Sequence, residues 1–289
     1  MTNKKNLLNG QDPVPPHAGD DSRDIAFGSG VVQMATFKGG RPYQEDRYLV
    51  DTLDITAGAA KVFLAEIFTV AAKKTDANRA GSTGTALVIT SDLQLRAAYL
   101  GDSPAVIFVH DPATGDITAQ KLTRDHHAAM PAEKARIERA GGYVGPSGRV
   151  DDSLMLSRAF GDAGYLGVSR KPEFSAADLK KEIDAGKDVY ICLSSDGLYE
   201  TLDPDDYIAP LQDAIAQKKD GSLADIFAAY AHEKGSADNI TALVVKVPRD
   251  MKENLFLAIA DGHGGSKTST QVIEVFEDCL KKRKAAPKP

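Results

Sequence analysis

The sequence has no tryptophan, only two cysteines in 289 residues, and no apolar run approaching the roughly 20 residues that a membrane span needs. The two cysteines, Cys192 and Cys279, cannot form the disulfide framework of a small secreted protein, which indicates a reducing compartment. The first 21 residues contain no apolar stretch of the signal-peptide type. These absences predict a cytoplasmic protein that does not enter a membrane.

An excess of positive charge is also missing. The chain has 35 lysines and arginines against 41 acidic residues, a net charge of −6, which argues against a nucleic-acid-binding protein. The basic residues near the end, in "KKRKAAPKP" (281–289), predict a solvated helix end and a flexible tail. A nuclear localisation signal is the alternative interpretation of that run.

The length and composition favour a single folded domain, because no repeat and no Pro/Gly/Ser linker divides the middle of the chain. We predict a flexible N-terminal extension over 1–24, one domain over 25–280, and the basic tail over 281–289. The extension is polar and contains prolines, a composition typical of segments that do not build a core.

The hydrophobic pattern predicts strands grouped in hairpins and helices in separate blocks. Residues 31–51 predict two strands around a Gly-Gly turn, and hairpins are expected around Ser91–Asp92 and around "DPATGD" (111–116). The apolar spacing of 59–74 predicts a helix. Such a pattern is typical of an α+β fold with antiparallel sheets in helix–sheet–sheet–helix layers.

Acidic residues recur where apolar strands begin or end. Glu45 and Asp46 are expected within a strand, Asp196 and Asp261 directly follow the apolar runs "VYICLSS" and "LFLAIA", and Asp238 precedes "NITALVVKV". Each Asp-Gly pair alone favours a turn. Several carboxylates at the rim of one core would repel each other, and a divalent cation compensates for that repulsion. Oxygen ligands alone indicate Mg²⁺ or Mn²⁺ rather than zinc.

Eight sequence blocks between about Gly28 and Leu280 resemble those of the metal-dependent protein serine/threonine phosphatases of type 2C. The blocks are "RPYQED", "GSTGTAL", "AAYLGDSPAVI", "LTRDHHAAMPAEKARIERAGGYV", "GRVDDSLMLSRAFGD", "LSSDGLYE", "SADNITALVV" and "ADGHGG". The resemblance implies an antiparallel β-sandwich flanked by helices on both faces. It also implies a phosphatase domain over 25–280 that hydrolyses phosphoserine and phosphothreonine in protein substrates with two metal ions, Mg²⁺ or Mn²⁺.

The resemblance also implies roles for individual residues. Asp261 would bridge the two ions and the Gly262 carbonyl would bind one of them. The other implied metal ligands are Asp196, Asp238, Glu45 and Asp46, the last two directly or through water, and Asp102, which would help to hold a third ion with Asp196.

Two further residues would act on the substrate itself. Arg41 would bind the phosphate, because its guanidinium matches two phosphate oxygens. His263 would be the general acid that protonates the leaving serine or threonine oxygen.

The position of "ADGHGG" departs from the family order. In the family this strand directly follows the Arg-x-x-x-Glu-Asp strand, whereas here the strand and its helix come at about 254–284. We expect this transposed segment to pair beside the Glu45–Asp46 strand of its own chain, giving a monomer. A dimer in which the segment docks on a neighbouring chain is the alternative.

Smaller departures leave other functions open. Pro104 replaces a usual arginine, Tyr199–Glu200 replaces Trp–Asp, and 163–184 corresponds to a variable flap. An inactive phosphatase-like binding module and a hydrolase of small phosphate esters on the same fold are the alternatives to a protein phosphatase.

Overall fold

Two antiparallel sheets form the centre of the molecule. The computed structural model describes residues 21–28, 30–217 and 222–285. The strands are β1 (Asp21–Phe27), β2 (Gly30–Phe37), β3 (Arg47–Leu53), β4 (Gly81–Ser82), β5 (Gly84–Ile89), β6 (Gln94–Leu100), β7 (Ala105–His110), β8 (Ile117–Lys121), β9 (Phe160–Gly161), β10 (Glu173–Asp178), β11 (Asp188–Ser194), β12 (Ile240–Lys246), β13 (Asn254–Ala260) and β14 (Gly262–His263). The helices are α1 (Ala57–Lys74), α2 (Pro131–Arg139), α3 (Lys180–Asp184), α4 (Ile208–Ala216), α5 (Leu223–Glu233) and α6 (Lys267–Ala285).

The strand order places segments that are distant in sequence side by side. One sheet has six strands in the order β1-β2-β12-β11-β7-β8, and the other has five in the order β10-β6-β5-β13-β3. A short sheet, β14-β4-β9, lies beside them. The hairpins β5–β6 and β7–β8 confirm the two predicted from the turn residues.

Helices cover the outer face of each sheet, so the predicted four-layer α+β fold is confirmed. One apolar cluster lies between the sheets and includes Met34, Leu87 and Leu257. A second joins α1 and α6 to the five-stranded sheet, and a third joins α4 and α5 to the six-stranded sheet. Strands between two apolar layers bury both faces, which explains the unbroken apolar run of β13.

The C-terminal strand β13 occupies an interior position of its own chain's sheet. It pairs with β3 on one side, where Ala260 faces Arg47, and with β5 on the other, where Leu257 faces Leu87. Helix α6 then packs against β3 and β13. The segment therefore completes the sheet within one chain.

The two strands predicted over 31–51 are present as β2 and β3, but they do not pair with each other, and the expected strand structure at Glu45 and Asp46 is wrong. Strands β2 and β3 belong to different sheets, and 38–46 crosses between them without strand structure. Gly39 has φ +61° and lies so close to the Asp238 carbonyl that a Cβ would be 2.0 Å from its oxygen. The side-chain amide of Asn239 donates to the Lys38 and Tyr43 carbonyls. These contacts fold the crossing segment onto the start of β12, where it cannot pair as a strand.

Regular secondary structure extends past both ends of the predicted domain, 25–280. Strand β1 begins at Asp21, inside the predicted extension 1–24, because residues 21–27 pair along β2. Helix α6 continues to Ala285, where Lys284 Nζ lies 2.5 Å from Asp51 Oδ1, so the first basic residues of the predicted tail are helical. Residues 1–20 and 286–289 lie outside the described residues. Among the described helices, none is long and apolar enough to cross a bilayer.

Candidate metal centre

The acidic residues singled out in the sequence gather at one end of the sandwich. Asp196 follows β11 and Asp238 precedes β12, and these neighbouring antiparallel strands present their C- and N-terminal ends at the same edge. In the other sheet, Asp46 precedes β3 and Asp261 follows β13 in the same relation. Because the two sheets are stacked, four chain segments deliver carboxylates to one place.

The charges of several of these carboxyl groups raise the pKa of others in the set, as expected for neighbouring acids. Burial raises the pKa of Asp196 to about 8, and the charges of Asp102 and Asp238 add to that rise. Burial also raises the pKa of Asp261 well above its usual value, and the charges of Asp46 and Asp196 raise it further. Removal from water and mutual repulsion both disfavour the ionised forms, and a nearby cation would favour them.

Asp46 is the clearest case of an unsatisfied carboxylate. Both of its oxygens are buried without a hydrogen bond of full geometry, and burial raises the pKa of this carboxyl to about 6, although the Thr241 and Ser195 hydroxyls lie near enough to oppose that rise. The nearby Ser195 hydroxyl donates instead to the Asn239 carbonyl (3.3 Å). Buried charged oxygens without donors are expensive in a folded protein, and a divalent cation would satisfy them.

The donor set fits a hard divalent cation. The clustered side chains offer carboxylate oxygens, the ligands that Mg²⁺ and Mn²⁺ prefer. Within the described ranges, no three acidic, histidine or cysteine side chains already stand at the spacing of one coordination shell. Binding would therefore need side-chain rotation or bridging water molecules, which Mg²⁺ commonly retains.

Arg41 reaches the same place from the crossing segment. Its Nη2 donates to Asp238 Oδ2, and the side chain remains 52% exposed. Partial burial lowers the pKa of Arg41, but the carboxylates of Asp238, Asp196 and Asp261 together outweigh that effect, so the pKa is raised. The guanidinium therefore lies within the field of these three acids.

Asp102 lies at the side of the cluster and has an unpredicted partner. Its Oδ2 is 2.9 Å from Nε2 of His127, and that hydrogen bond raises the pKa of the imidazole. The carboxylate also raises the pKa of Asp196 and of Asp261, which places it next to both. The block "TRDHH" could have indicated this histidine, but its spacing did not single it out.

Glu45 and Gly262 contact each other through the backbone. The Glu45 carbonyl accepts from Ser269 Oγ (2.6 Å), and a Cβ on Gly262 would lie 2.8 Å from that hydroxyl oxygen and 2.9 Å from the Glu45 carbonyl oxygen. A glycine is therefore needed beside Asp261 so that the two segments can approach. The structure gives the Glu45 carboxylate no contact with the other acids among the hydrogen bonds and ion pairs of the described residues.

His263 is held at the edge of the site. Its Nε2 lies 2.8 Å from Oδ2 of Asp162, which is 2% exposed, and the imidazole itself is 34% exposed. Asp162 was not predicted as a site residue, although it ends the block "SRAFGD".

Supporting residues fix the backbone around the acids. The Thr83 N–H donates to the Asp261 carbonyl (2.8 Å), and the Asp261 N–H donates to Thr83 Oγ1 (3.1 Å). The Glu45 N–H donates to Asn239 Oδ1 (2.8 Å), which ties the two sheets together at this end. Glu200 accepts from the backbone N–H groups of Ala237 and Asp238. Only their tertiary contacts identify these positions.

Comparison with known proteins gives a consistent family match. The family model described as "Protein phosphatase 2C" matches residues 23–240. The chain is 32% identical over 139 residues to "Probable protein phosphatase 2C 67" of Oryza sativa subsp. japonica, covering 47% of this chain and 36% of the relative. It is 31% identical over 182 residues to the bovine "Integrin-linked kinase-associated serine/threonine phosphatase 2C", covering 58% and 47%. A third relative, mouse "Protein phosphatase 1E", is 34% identical over 180 residues, covering 61% and 22%. The chain thus spans less than half the length of these curated relatives.

Solved structures share the fold. A serine-threonine phosphatase 2C from Toxoplasma gondii superposes with a TM-score of 0.60 at 20% identity, covering 81% of this chain and 99% of that one. A second Toxoplasma gondii phosphatase gives a TM-score of 0.57 at 20% identity, covering 78% and 94%. At this identity the likeness concerns the fold alone.

Proposed function

Since the chain belongs to the protein phosphatase 2C family, we propose that it is a protein serine/threonine phosphatase that depends on Mg²⁺ or Mn²⁺. One observation carries the proposal. Carboxylates from both sheets meet at one end of the sandwich, and the buried oxygens of Asp46 receive no hydrogen bond of full geometry there. Phosphoserine and phosphothreonine in proteins are the proposed substrates.

The acidic cluster would hold the cations. Asp261 is the proposed shared ligand of two ions, because the charges of Asp46 beside one sheet and Asp196 beside the other both raise its pKa. The remaining proposed ligands are Asp196, Asp238, Asp46, Glu45 and the Gly262 carbonyl, with Asp102 beside Asp196 as a ligand of a third ion. The chemistry that such ions supply is the activation of a water molecule and the neutralisation of charge on the phosphoryl oxygens.

The chain's own side chains would bind and protonate the substrate. The exposed guanidinium of Arg41 faces the acidic cluster and would grip two oxygens of the phosphate, exchanging its contact with Asp238 for the substrate. The part-exposed imidazole of His263 would protonate the leaving serine or threonine oxygen. No cysteine nucleophile is needed, and Cys192 is fully buried.

We also propose that the segment carrying β13 and α6 is a transposed block of the family fold. The family match ends at residue 240, before this segment, and β13 nevertheless pairs between β3 and β5. Pairing depends on register and burial rather than on chain order, so a relocated segment can restore the same site. The proposal includes a monomer, and the test is to mix Asp46→Asn with Asp261→Asn protein. Restored turnover in the mixture, together with a dimeric mass, would show segment exchange instead.

A metal titration tests the proposed activity. Wild type should release phosphate from a phosphoserine peptide with Mn²⁺ and lose that activity in EDTA, and Asp261→Asn should be inactive at every metal concentration. Peptide binding without turnover would indicate a binding module. A much higher kcat/KM on small phosphate esters than on phosphopeptides would indicate a small-molecule hydrolase.

A further inference from the structure

The short sheet β14-β4-β9 brings an aspartate against His263. Within it, His263 pairs with Gly81, and Gly81 pairs with Gly161, the residue directly before Asp162. The two side chains meet across the middle strand, where Nε2 of the imidazole and Oδ2 of the carboxylate are 2.8 Å apart. The contact joins chain positions 101 residues apart.

The surroundings are shaped for this pair. Asp162 is 2% exposed and has φ +50°, a conformation that aspartate and asparagine tolerate better than most residues. A Cβ on Gly81 would lie 2.1 Å from Nε2 of His263 and 2.2 Å from Oδ2 of Asp162. Any side chain at position 81 would therefore occupy the space of the hydrogen bond.

We infer that Asp162 is a positioning residue that fixes the orientation and the tautomer of the His263 imidazole. The inference deepens the proposed function and rests on it. A buried carboxylate accepts from the Nε2–H, so the neutral ring carries its proton on Nε2 and leaves Nδ1 free to act on a substrate. Because His263 is 34% exposed, the far side of its ring remains accessible to a substrate.

The assignment specifies where the leaving-group proton comes from. In the proposed hydrolysis, the oxygen of a water molecule that has lost one proton to solvent bonds to phosphorus, and the bond from phosphorus to the serine oxygen breaks. The electron pair of that bond goes to the serine oxygen, which takes a proton from Nδ1–H of the imidazolium. Serine and inorganic phosphate leave, and Nδ1 regains a proton from solvent while Nε2–H stays on Asp162.

Asp162→Asn tests the role with little change of shape. Its matched control is Asp152→Asn, because Asp152 also has a positive φ (+52°) and its carboxylate accepts from Ser147, away from His263. With Mn²⁺, we expect Asp162→Asn to lower kcat on a phosphoserine peptide at least about tenfold with little change in KM. On p-nitrophenyl phosphate, whose leaving group needs no proton, kcat should fall less than about twofold. Asp152→Asn should match wild type on both substrates.

The double variant Asp162→Asn/His263→Ala shows whether the two residues act together. It should be no slower than His263→Ala alone, because Asp162 acts only through the imidazole. Losses that multiply, or an Asp162→Asn variant that is equally slow on both substrates, would overturn the inference.

A spectroscopic readout without metal completes the test. In ¹H–¹⁵N spectra of metal-free wild type, recorded at a pH where the spectra themselves show a neutral ring, His263 should carry its proton on Nε2, and Asp162→Asn should lose that preference. Unchanged ring signals in the variant would overturn the inference even if its activity fell. Wild type that shows no metal-dependent turnover at all would instead disprove the proposed function, and the inferred role would fall with it.

Discussion

Replacing Asp196 by asparagine should remove a pH-dependent loss of stability from the metal-free protein. Burial, reinforced by the charges of Asp102 and Asp238, raises the pKa of Asp196 from 3.8 to about 8. Between these values the unfolded chain has lost the proton and the folded protein keeps it. The free energy of unfolding therefore falls as the pH rises, by about 1.4 kcal/mol per pH unit for one such group.

The expected magnitude follows from that slope. From pH 5 to pH 7, one carboxyl of this kind lowers the free energy of unfolding by roughly 3 kcal/mol. Because Asp46 and Asp261 share the same repulsion, we expect Asp196→Asn to remove roughly 2 kcal/mol of the wild-type change. The variant should thus be more stable than metal-free wild type at pH 7, although the proposed function predicts that it is inactive.

Urea unfolding in EDTA at pH 5, 6 and 7 measures this difference. Asp188→Asn is the matched control, because Lys246 and Arg249 outweigh the effect of burial and lower the pKa of Asp188, which leaves it ionised throughout this range. That variant should lose stability and keep the falling slope of wild type, apart from any contribution of His110, whose Nδ1 lies 3.7 Å from the Asp188 carboxylate. Equal slopes for wild type and Asp196→Asn, or a wild type that gains stability as the pH rises, would refute the reasoning.

Three further substitutions, one of them with a matched control, test separate parts of the structure. Arg41→Ala should lower kcat/KM on a phosphopeptide about 10- to 100-fold through lost phosphate contacts, and an unchanged value in steady-state kinetics would remove Arg41 from phosphate binding. Glu133 is buried, yet hydrogen bonds from two arginines lower its pKa to about 2. Glu133→Gln should therefore lower the free energy of unfolding at pH 7 by about 3 kcal/mol. This loss should shrink as the pH falls from 4.5 toward 2, because the wild-type carboxylate then takes up a proton. A pH-independent loss in urea titrations would contradict the ion pairs. Gly81→Ala should lower both Tm and turnover, because its Cβ would meet His263. The control Gly58→Ala, whose Cβ would have nothing within 4 Å, should raise the free energy of unfolding by about 0.5 kcal/mol. Equal melting temperatures for Gly81→Ala and Gly58→Ala would contradict the close approach at Gly81.

Local sequence signals were sufficient for much of the fold. Turn residues located both hairpins, and the apolar runs of β11 and β13 predicted buried strands because those strands are covered on both faces. The edge strands β1 and β10 were missed. In β10, partly buried and exposed residues alternate over only six positions, and no apolar run marks it.

The site was predictable as a set of residues but not as an arrangement. Acids at strand ends are visible in sequence, and their meeting requires only that antiparallel strands share an edge. The loop conformation of Glu45 and Asp46 was not visible, since it is imposed by Asn239, nearly two hundred residues later. The contact between Asp162 and His263 was equally hidden, because it depends on a glycine in a third strand.

The interior position of β13 has a consequence for how the chain is made. A ribosome produces β3 and β5 long before β13, yet these two strands meet only through β13. Until residues 254–260 emerge, the five-stranded sheet is split and two strand edges stay open to wrong pairing. A nascent chain that stops short of this strand would lack a joined sheet and the Asp261 carboxylate together, so incomplete translation products would be both catalytically silent and prone to aggregate.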